Sequence, residues 1–280
     1  MHTSDPHATH PWSLAALLRT FGTHRELIAR MVRREVVGRY RGSALGLAWS
    51  FFNPLLMLAI YTIVFSGIFK ARWNTSGEPE GLGHFALVMF VGMIVLNLVT
   101  EVLVRSPTLV LSNPNFVKKV VFPLEIYPIV TLGAALFHTL VSVAVLVLAL
   151  LVLKGAVPWT AAWLPVLLVP LSLMTLGASW ILASLGVYLR DVGQAIGLAC
   201  SALMFLSPIF YPLSAVPAGV RPLILANPLT TVIEQARRVL IAGEPPEWAA
   251  VAALTAGAAV LAWLGYAWFQ KTRKGFADVL

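Results

Sequence analysis

Six stretches of the chain contain no Asp, Glu, Lys or Arg: residues 42–69, 81–100, 126–153, 155–189, 192–220 and 248–270. A bilayer core roughly 30 Å thick needs about 20 apolar residues of helix to cross it, and the shortest of these runs has 20. Without water, only a helix or a closed barrel can satisfy its own backbone there. The runs therefore predict an all-α polytopic membrane protein with six transmembrane helices. A soluble helical protein would need a polar face on each of its surface helices, and these runs carry no charge to make one.

Of the 280 residues, 59% are hydrophobic and 11% charged, so nearly all of the chain is used to span. Only residues 1–41 and 213–247 are long enough to fold outside the bilayer. The first apolar run starts at residue 42, too far in for a cleavable leader, so a retained N-terminus is expected. Cys200, the single cysteine, lies in an apolar run, which excludes an internal disulfide and a cysteine metal cluster. With six spans, alternate connections share a side. One set (1–41, 101–125, 190–191 and 271–280) carries 14 Lys/Arg and the other carries 6. The positive-inside bias places both termini in the cytoplasm. The net charge of +8 is then mostly a cytoplasmic-face charge, suited to anionic headgroups or an anionic cargo.

Residues 1–23, with His2, His7 and His10, read as a polar cytoplasmic tail. Residues 24–41 read as an amphipathic helix lying in the interface. Leu27, Ile28, Met31, Val32 and Val36 share one half of it, and Arg30, Arg33, Arg34 and Arg41 the other. Glu35 interrupts the apolar face and Val37 the basic one. The spans are expected at about 44–69, 84–104, 126–153, 165–188, 192–212 and 248–270. Asn53-Pro54 should kink the first, because proline removes a backbone donor. Gly177, Ala178, Ser179, Ala183, Ser184 and Gly186 give the fourth a surface that lets another helix approach closely. Between the second and third spans, Pro114, Pro123 and Pro128 fix the turns of a short charged connection. Residues 213–247 are broken by Pro217, Pro222, Pro228, Pro245 and Pro246 into pieces too short to span. They suit short re-entrant helices.

The chemistry absent from the sequence narrows its function. No G-x-x-x-x-G-K-[ST] motif exists to hold nucleotide, and no H-E-x-x-H or Cys/His set has zinc spacing. His138 is the only mid-membrane candidate for a proton relay, and Glu101, Glu125 and Asp191 sit at borders. An ion-coupled secondary transporter usually keeps charged groups at mid-membrane. A membrane-embedded polyprenyl-phosphate sugar transferase would need metal ligands or a base beside a nucleophile. Both alternatives are therefore disfavoured against a permease that has no motor or catalytic group of its own.

Three segments carry a resemblance: REVVGRYRGSALGLAWSFFNPLLMLAIYTIVFSGIFKAR at 34–72, NPNFVKKVVFPLEIYP at 113–128, and FYPLSAVPAGVRPLILANPLTTVIEQARRVLIAGEPPEW at 210–248. In this order and spacing the chain resembles the permease subunits of ABC-2 type exporters of O-antigen, capsular polysaccharide or teichoic acid. The resemblance covers residues 24–280 and implies a homodimer in the bacterial inner membrane. It also implies two separate cytoplasmic P-loop ATPase subunits, which bind the ATP and magnesium, and a polyprenyl-diphosphate-linked glycan as cargo. No cofactor or metal is expected in this chain, and no nucleic-acid partner. Arg34, Arg39 and Arg41 are candidates to bind the diphosphate as planar forks. Trp49, Phe51, Phe52, Tyr61, Phe205, Phe210 and Tyr211 are candidates for an aromatic channel lining. The resemblance implies that 25–41 and 113–125 meet the ATPase, with Arg30, Arg33, Asn115, Lys118, Lys119 and Glu125 as candidate contacts.

Overall fold

The computed structural model describes residues 13–69, 73, 83–118 and 122–279. Residues 1–12 with the three tail histidines, residues 70–72, and Lys119 lie outside the described residues. Among the described residues all regular secondary structure is helical, with no strand. Two helices open it, α1 (Leu14–Thr23) and α2 (Arg25–Arg39). Then come α3 (Trp49–Tyr61), α4 (His84–Arg105), the short α5 (Pro114–Lys118) and α6 (Ile126–Lys154). The second half holds α7 (Leu164–Tyr188), α8 (Val192–Leu206), α9 (Arg221–Ala226), α10 (Pro228–Arg237), α11 (Trp248–Thr272) and α12 (Phe276–Val279).

Among the described residues, five helical segments are long and apolar enough to cross a membrane: Gly46–Ile68, His84–Thr108, Ile126–Lys154, Trp159–Tyr188 and Trp248–Val279. The first joins α3 to a π-helical turn at Thr62–Ile68 and contains Pro54. The fifth charge-free run behaves differently from expectation, since its helix α8 stops at Leu206 after 15 residues. At 1.5 Å per residue that is about 22 Å, short of the hydrocarbon thickness. Proline explains the stop. Ser207 precedes Pro208 and is extended, with ψ 144°, as a residue before proline prefers. Residues 13–23, expected as tail, contain α1, whose Leu17 is buried and whose Thr20 hydroxyl lies 3.5 Å from the Tyr266 hydroxyl on α11.

Several hydroxyls inside the spans are satisfied by their own helices. Thr100, Ser106, Thr131, Ser142 and Thr175 each donate to the carbonyl four residues earlier, a bond available without water. Buried residues concentrate in α4 and α7, so these two form the centre of the bundle. α7 and α11 cross in near backbone contact. A Cβ at Gly177 would sit 2.6 Å from the Leu261 carbonyl oxygen, and one at Gly265 would overlap the Gly177 carbonyl. Ser184 and Thr272 hydroxyls, 2.7 Å apart, continue that seam. The 113–125 connection is held to it as well. Arg273 reaches Glu125 Oε2 at 2.7 Å and donates to the Phe122 carbonyl at 2.7 Å, while Trp180 Nε1 donates to the Glu125 carbonyl.

At the opposite end of the bundle, α9 and α10 are 6 and 10 residues long, too short to span. Asn227 caps α10, its side chain accepting from Leu229 N at 3.0 Å with Pro228 at the first helical position. The same amide donates to Ser207 Oγ at 3.0 Å, tying α10 to the end of α8. Arg237, on the last turn of α10, is buried, and it fastens this region to α4. Its Nε donates to the Val88 carbonyl at 3.1 Å and its Nη2 to the Ile209 carbonyl at 3.2 Å. Its Nη1 meets Glu234 at 2.8 Å and its guanidinium lies 4.3 Å from the centre of the Trp73 ring.

Candidate functional site

A cavity of about 950 Å³ lies between α2, α3, α4 and α6. Its floor is charged, with Arg34, Glu35, Arg39, Glu101, Arg105 and His138. Its walls carry Asn53, Asn97 and Ser142, and its far end Met57, Tyr61, Phe90 and Met93. The cavity is thus amphipathic along its length, with ionic groups at one end and aromatic and thioether surface at the other.

The floor follows from helical periodicity. Glu35 and Arg39 are one turn apart on α2, as Glu101 and Arg105 are on α4. The two helices run antiparallel, so Glu35 meets Arg105 and Arg39 meets Glu101, the latter at 2.5 Å. His138 of α6 joins the second pair, its Nδ1 lying 2.9 Å and 3.2 Å from the two Glu101 oxygens and 3.1 Å from Arg39 Nη1. One ring nitrogen either donates to the carboxylate or accepts from the guanidinium, so the tautomer selects its neighbour. His138 Nε2 is buried with no hydrogen-bond partner. Tyr40 stands edge-on to the imidazole, with centroids 6.0 Å apart. Burial raises the Tyr40 phenol above its ordinary pKa, so it stays neutral at pH 7. Behind these pairs, Val32 of α2 fills the space left by Gly133 of α6, where a Cβ would fall 2.6 Å from Val32 Cγ2.

Among the arginines expected to face a diphosphate, Arg34 and Arg39 line this cavity and Arg41 is exposed beyond it. Arg39 is committed to Glu101, whereas no carboxylate lies against Arg34 among the described residues. Of the expected aromatics only Tyr61 lines the cavity. Trp49, Phe51 and Phe52 are exposed near the start of α3. Phe205 and Phe210 belong to a separate cluster with Phe65 and Phe85, in which Phe65 stacks on Phe85 at 5.5 Å and on Phe210 at 6.2 Å. Tyr211 donates its hydroxyl to the Phe205 carbonyl. The two groups are separated by most of the first span, about 21 Å along a helix. Of the expected contact residues, Arg30, Arg33 and Asn115 are exposed, Arg30 pairing with Glu26 at 3.5 Å, and Lys118 closes α5. Glu125 instead is buried and bound to Arg273.

Glu35, Glu101 and Arg105 were not singled out as site residues from sequence. The signal for them is present: EVVGR at 35–39 and EVLVR at 101–105 are charge patterns that become complementary when two helices run antiparallel.

The long apolar helices describe a multi-pass membrane protein. The chain belongs to the ABC-2 type transporter family, whose profile matches residues 26–241. It is 27% identical over 265 residues to the O-antigen export system permease protein RfbA of Myxococcus xanthus, an alignment covering 94% of this chain and 98% of that protein. It is 24% identical over 258 residues to a protein of the same name from Klebsiella pneumoniae, with 91% and 95% covered.

Proposed function

We propose that the chain is the permease subunit of an ATP-driven exporter for an O-antigen-like polysaccharide carried on polyprenyl diphosphate. The observation that carries this reading is the end-to-end similarity to O-antigen export permeases, which leaves almost no part of either protein unmatched. Two features of the chain support it. One face of the first span is uncovered, with Leu56, Ile60 and Ile63 exposed, and is open to a second copy. The cavity pairs a charged floor, in which no carboxylate lies against Arg34 among the described residues, with an apolar far end, as a diphosphate joined to an isoprenoid requires.

In this reading the protein works as a homodimer with two separate P-loop ATPases. It sits in the bacterial inner membrane with both termini in the cytoplasm, and 192–212, α8 followed by the buried non-helical residues 207–209, makes the sixth crossing. The segment 213–247 closes the outer end as re-entrant helices. Arg34 and Arg41 receive phosphate oxygens, and Arg39, held by Glu101, is the third candidate. The exposed aromatics, Trp49, Phe51, Phe52 and Phe205, line the path between copies. Arg30, Arg33, Asn115, Lys118 and Lys119 are the candidate contacts for the ATPase.

The test is reconstitution. Proteoliposomes holding the chain and its cognate ATPase are expected to translocate a polyprenyl-diphosphate glycan only with ATP and magnesium, and the chain alone is expected to hydrolyse none. Translocation driven by a proton or sodium gradient without ATP would overturn the reading in favour of a secondary carrier.

Two sets of variants divide the basic residues. Arg34→Lys and Arg41→Lys are expected to lower export several-fold with normal assembly, because lysine cannot reproduce a bidentate fork. Lys118→Glu with Lys119→Glu is expected to release the ATPase during purification. Full export from both lysine variants would leave Arg34 and Arg41 as membrane anchors, which need charge alone. Retained ATPase in the glutamate variant would remove the docking role.

A further inference from the structure

We infer that the two charge pairs between α2 and α4, with His138 of α6, form a transmission latch through which movement of α2 opens or closes the cavity. The latch itself rests on the geometry of this chain; its use in export rests on the transporter reading above.

Three observations carry it. The pairing is reciprocal: α2 offers Glu35 and then Arg39, α4 offers Arg105 and then Glu101, and both rungs form in one antiparallel register. A slip of α2 by one turn would bring Glu35 against Glu101 or Arg39 against Arg105, so like charges would meet. The register is therefore two-valued, held or broken, as an element that transmits motion must be. The rungs are half-shielded: side-chain exposure is 49% for Arg39 against 17% for Glu101, and 43% for Arg105 against 24% for Glu35. The carboxylates are the covered partners, so removing an arginine strands a shielded charge.

All five latch residues also line the cavity. Displacing α2 must open its floor. The apolar face of α2 packs along α6, with Val36 buried and Val32 seated on Gly133, so that face is the side about which α2 turns when the charged side lets go. Glu35 interrupts the apolar face of α2 for this reason. On an interfacial anchor it would be out of place, yet here it is the half of a rung.

The experiment measures the latch and its use separately. Spin labels at exposed Val37 and Val104, in a Cys200→Ala chain purified into nanodiscs without ATPase, report the α2–α4 distance. Glu35→Arg and Arg105→Glu singly are expected to broaden the distance distribution. The double exchange Glu35→Arg with Arg105→Glu is expected to restore it. The second rung is probed with Glu101→Gln and His138→Gln, because an exchange there would set an arginine against the imidazole.

In the complex with its ATPase, each single reversal is expected to lower glycan exported per ATP hydrolysed by about tenfold, and the exchange to recover most of it. Unchanged distances in the single variants would overturn the latch. Broadened distances that the exchange does not restore would overturn the pairing. Restored distances with export still uncoupled would overturn transmission and leave a static clamp. If the reversals do not fold, Glu35→Gln and Arg105→Gln replace them, and unchanged distances there overturn the latch equally. Absence of ATP-driven export by the unaltered complex would sink the transporter reading alone, since the distance arm needs no substrate.

Discussion

Gly265→Val is expected to eliminate the folded protein, and Gly177→Val to do nearly the same. The two glycines face each other where α7 and α11 cross, and each position is closed by backbone rather than by a side chain that could swing away. A Cβ at Gly265 would overlap the carbonyl of Gly177, and one at Gly177 would meet Leu261 O and C at 2.6 and 2.7 Å. Overpacking in a core that can adjust costs about 1–3 kcal/mol. Here the helices themselves would have to separate. Doing so breaks the Ser184–Thr272 hydrogen bond and the Tyr188 bond to the Thr272 carbonyl, and loosens the Arg273 tie to Glu125. The loss should exceed the upper figure, a large part of the 5–15 kcal/mol that typically holds a fold together.

Gly257→Ala on the same helix is the control. Nothing lies within 4 Å of a Cβ there, and alanine in a helix interior is favoured over glycine by about 0.5–1 kcal/mol. Monodispersity and melting temperature of detergent-purified protein check the series. A Gly265→Val chain that melts like the unaltered one would show that the crossing has room the structure denies it.

That crossing is also where sequence reasoning reached furthest. A run of small residues at 177–186 indicates close approach, and Gly177, Ser179 and Ser184 are buried in it. The charge-free runs likewise correspond to helices, because the absence of charge over 20 or more residues admits few other structures. The fifth run is longer than the helix it contains. Its 29 charge-free residues include Pro208 and Pro212, and the helix stops at Leu206, ahead of the first of them.

The cavity floor was harder to see. Glu101 and Glu35 each look like a blemish within their own segment, one at a border and one on an apolar face. Their meaning is pairwise and depends on the direction in which α2 and α4 cross, which no single segment contains. The same holds for His138. Alone in a span it suggests a relay, whereas its Nδ1 is shared between Glu101 and Arg39.

Arg237→Leu is expected to free the α9–α10 region from the bundle while leaving the spans assembled. The guanidinium is 6% exposed and joins three separate stretches of chain: α4 through the Val88 carbonyl, the segment after α8 through the Ile209 carbonyl, and residue 73 through the Trp73 ring. Hydrogen bonds from charged donors are worth about 1.5–3 kcal/mol each, and a cation over a desolvated indole about 2 kcal/mol. Leucine recovers some apolar burial but leaves the Ile209 carbonyl without its donor. Arg237→Lys separates charge from shape. A lysine ammonium can keep the ion pair with Glu234 but cannot hold two carbonyls in fixed directions while lying flat on a ring. It is therefore expected to behave much like leucine rather than like arginine. Proteolysis within 213–247 of the purified chain reads the effect directly, with cleavage accelerated by at least about tenfold in both variants as the local opening energy falls by more than about 1.4 kcal/mol. Asn227→Ala tests the other fastening of the same region, since it removes the cap on α10 and the bond to Ser207. Its effect should be smaller, about 1 kcal/mol for a lost cap. If Asn227→Ala opened the region more than Arg237→Leu, the cap and not the buried guanidinium would be its principal anchor.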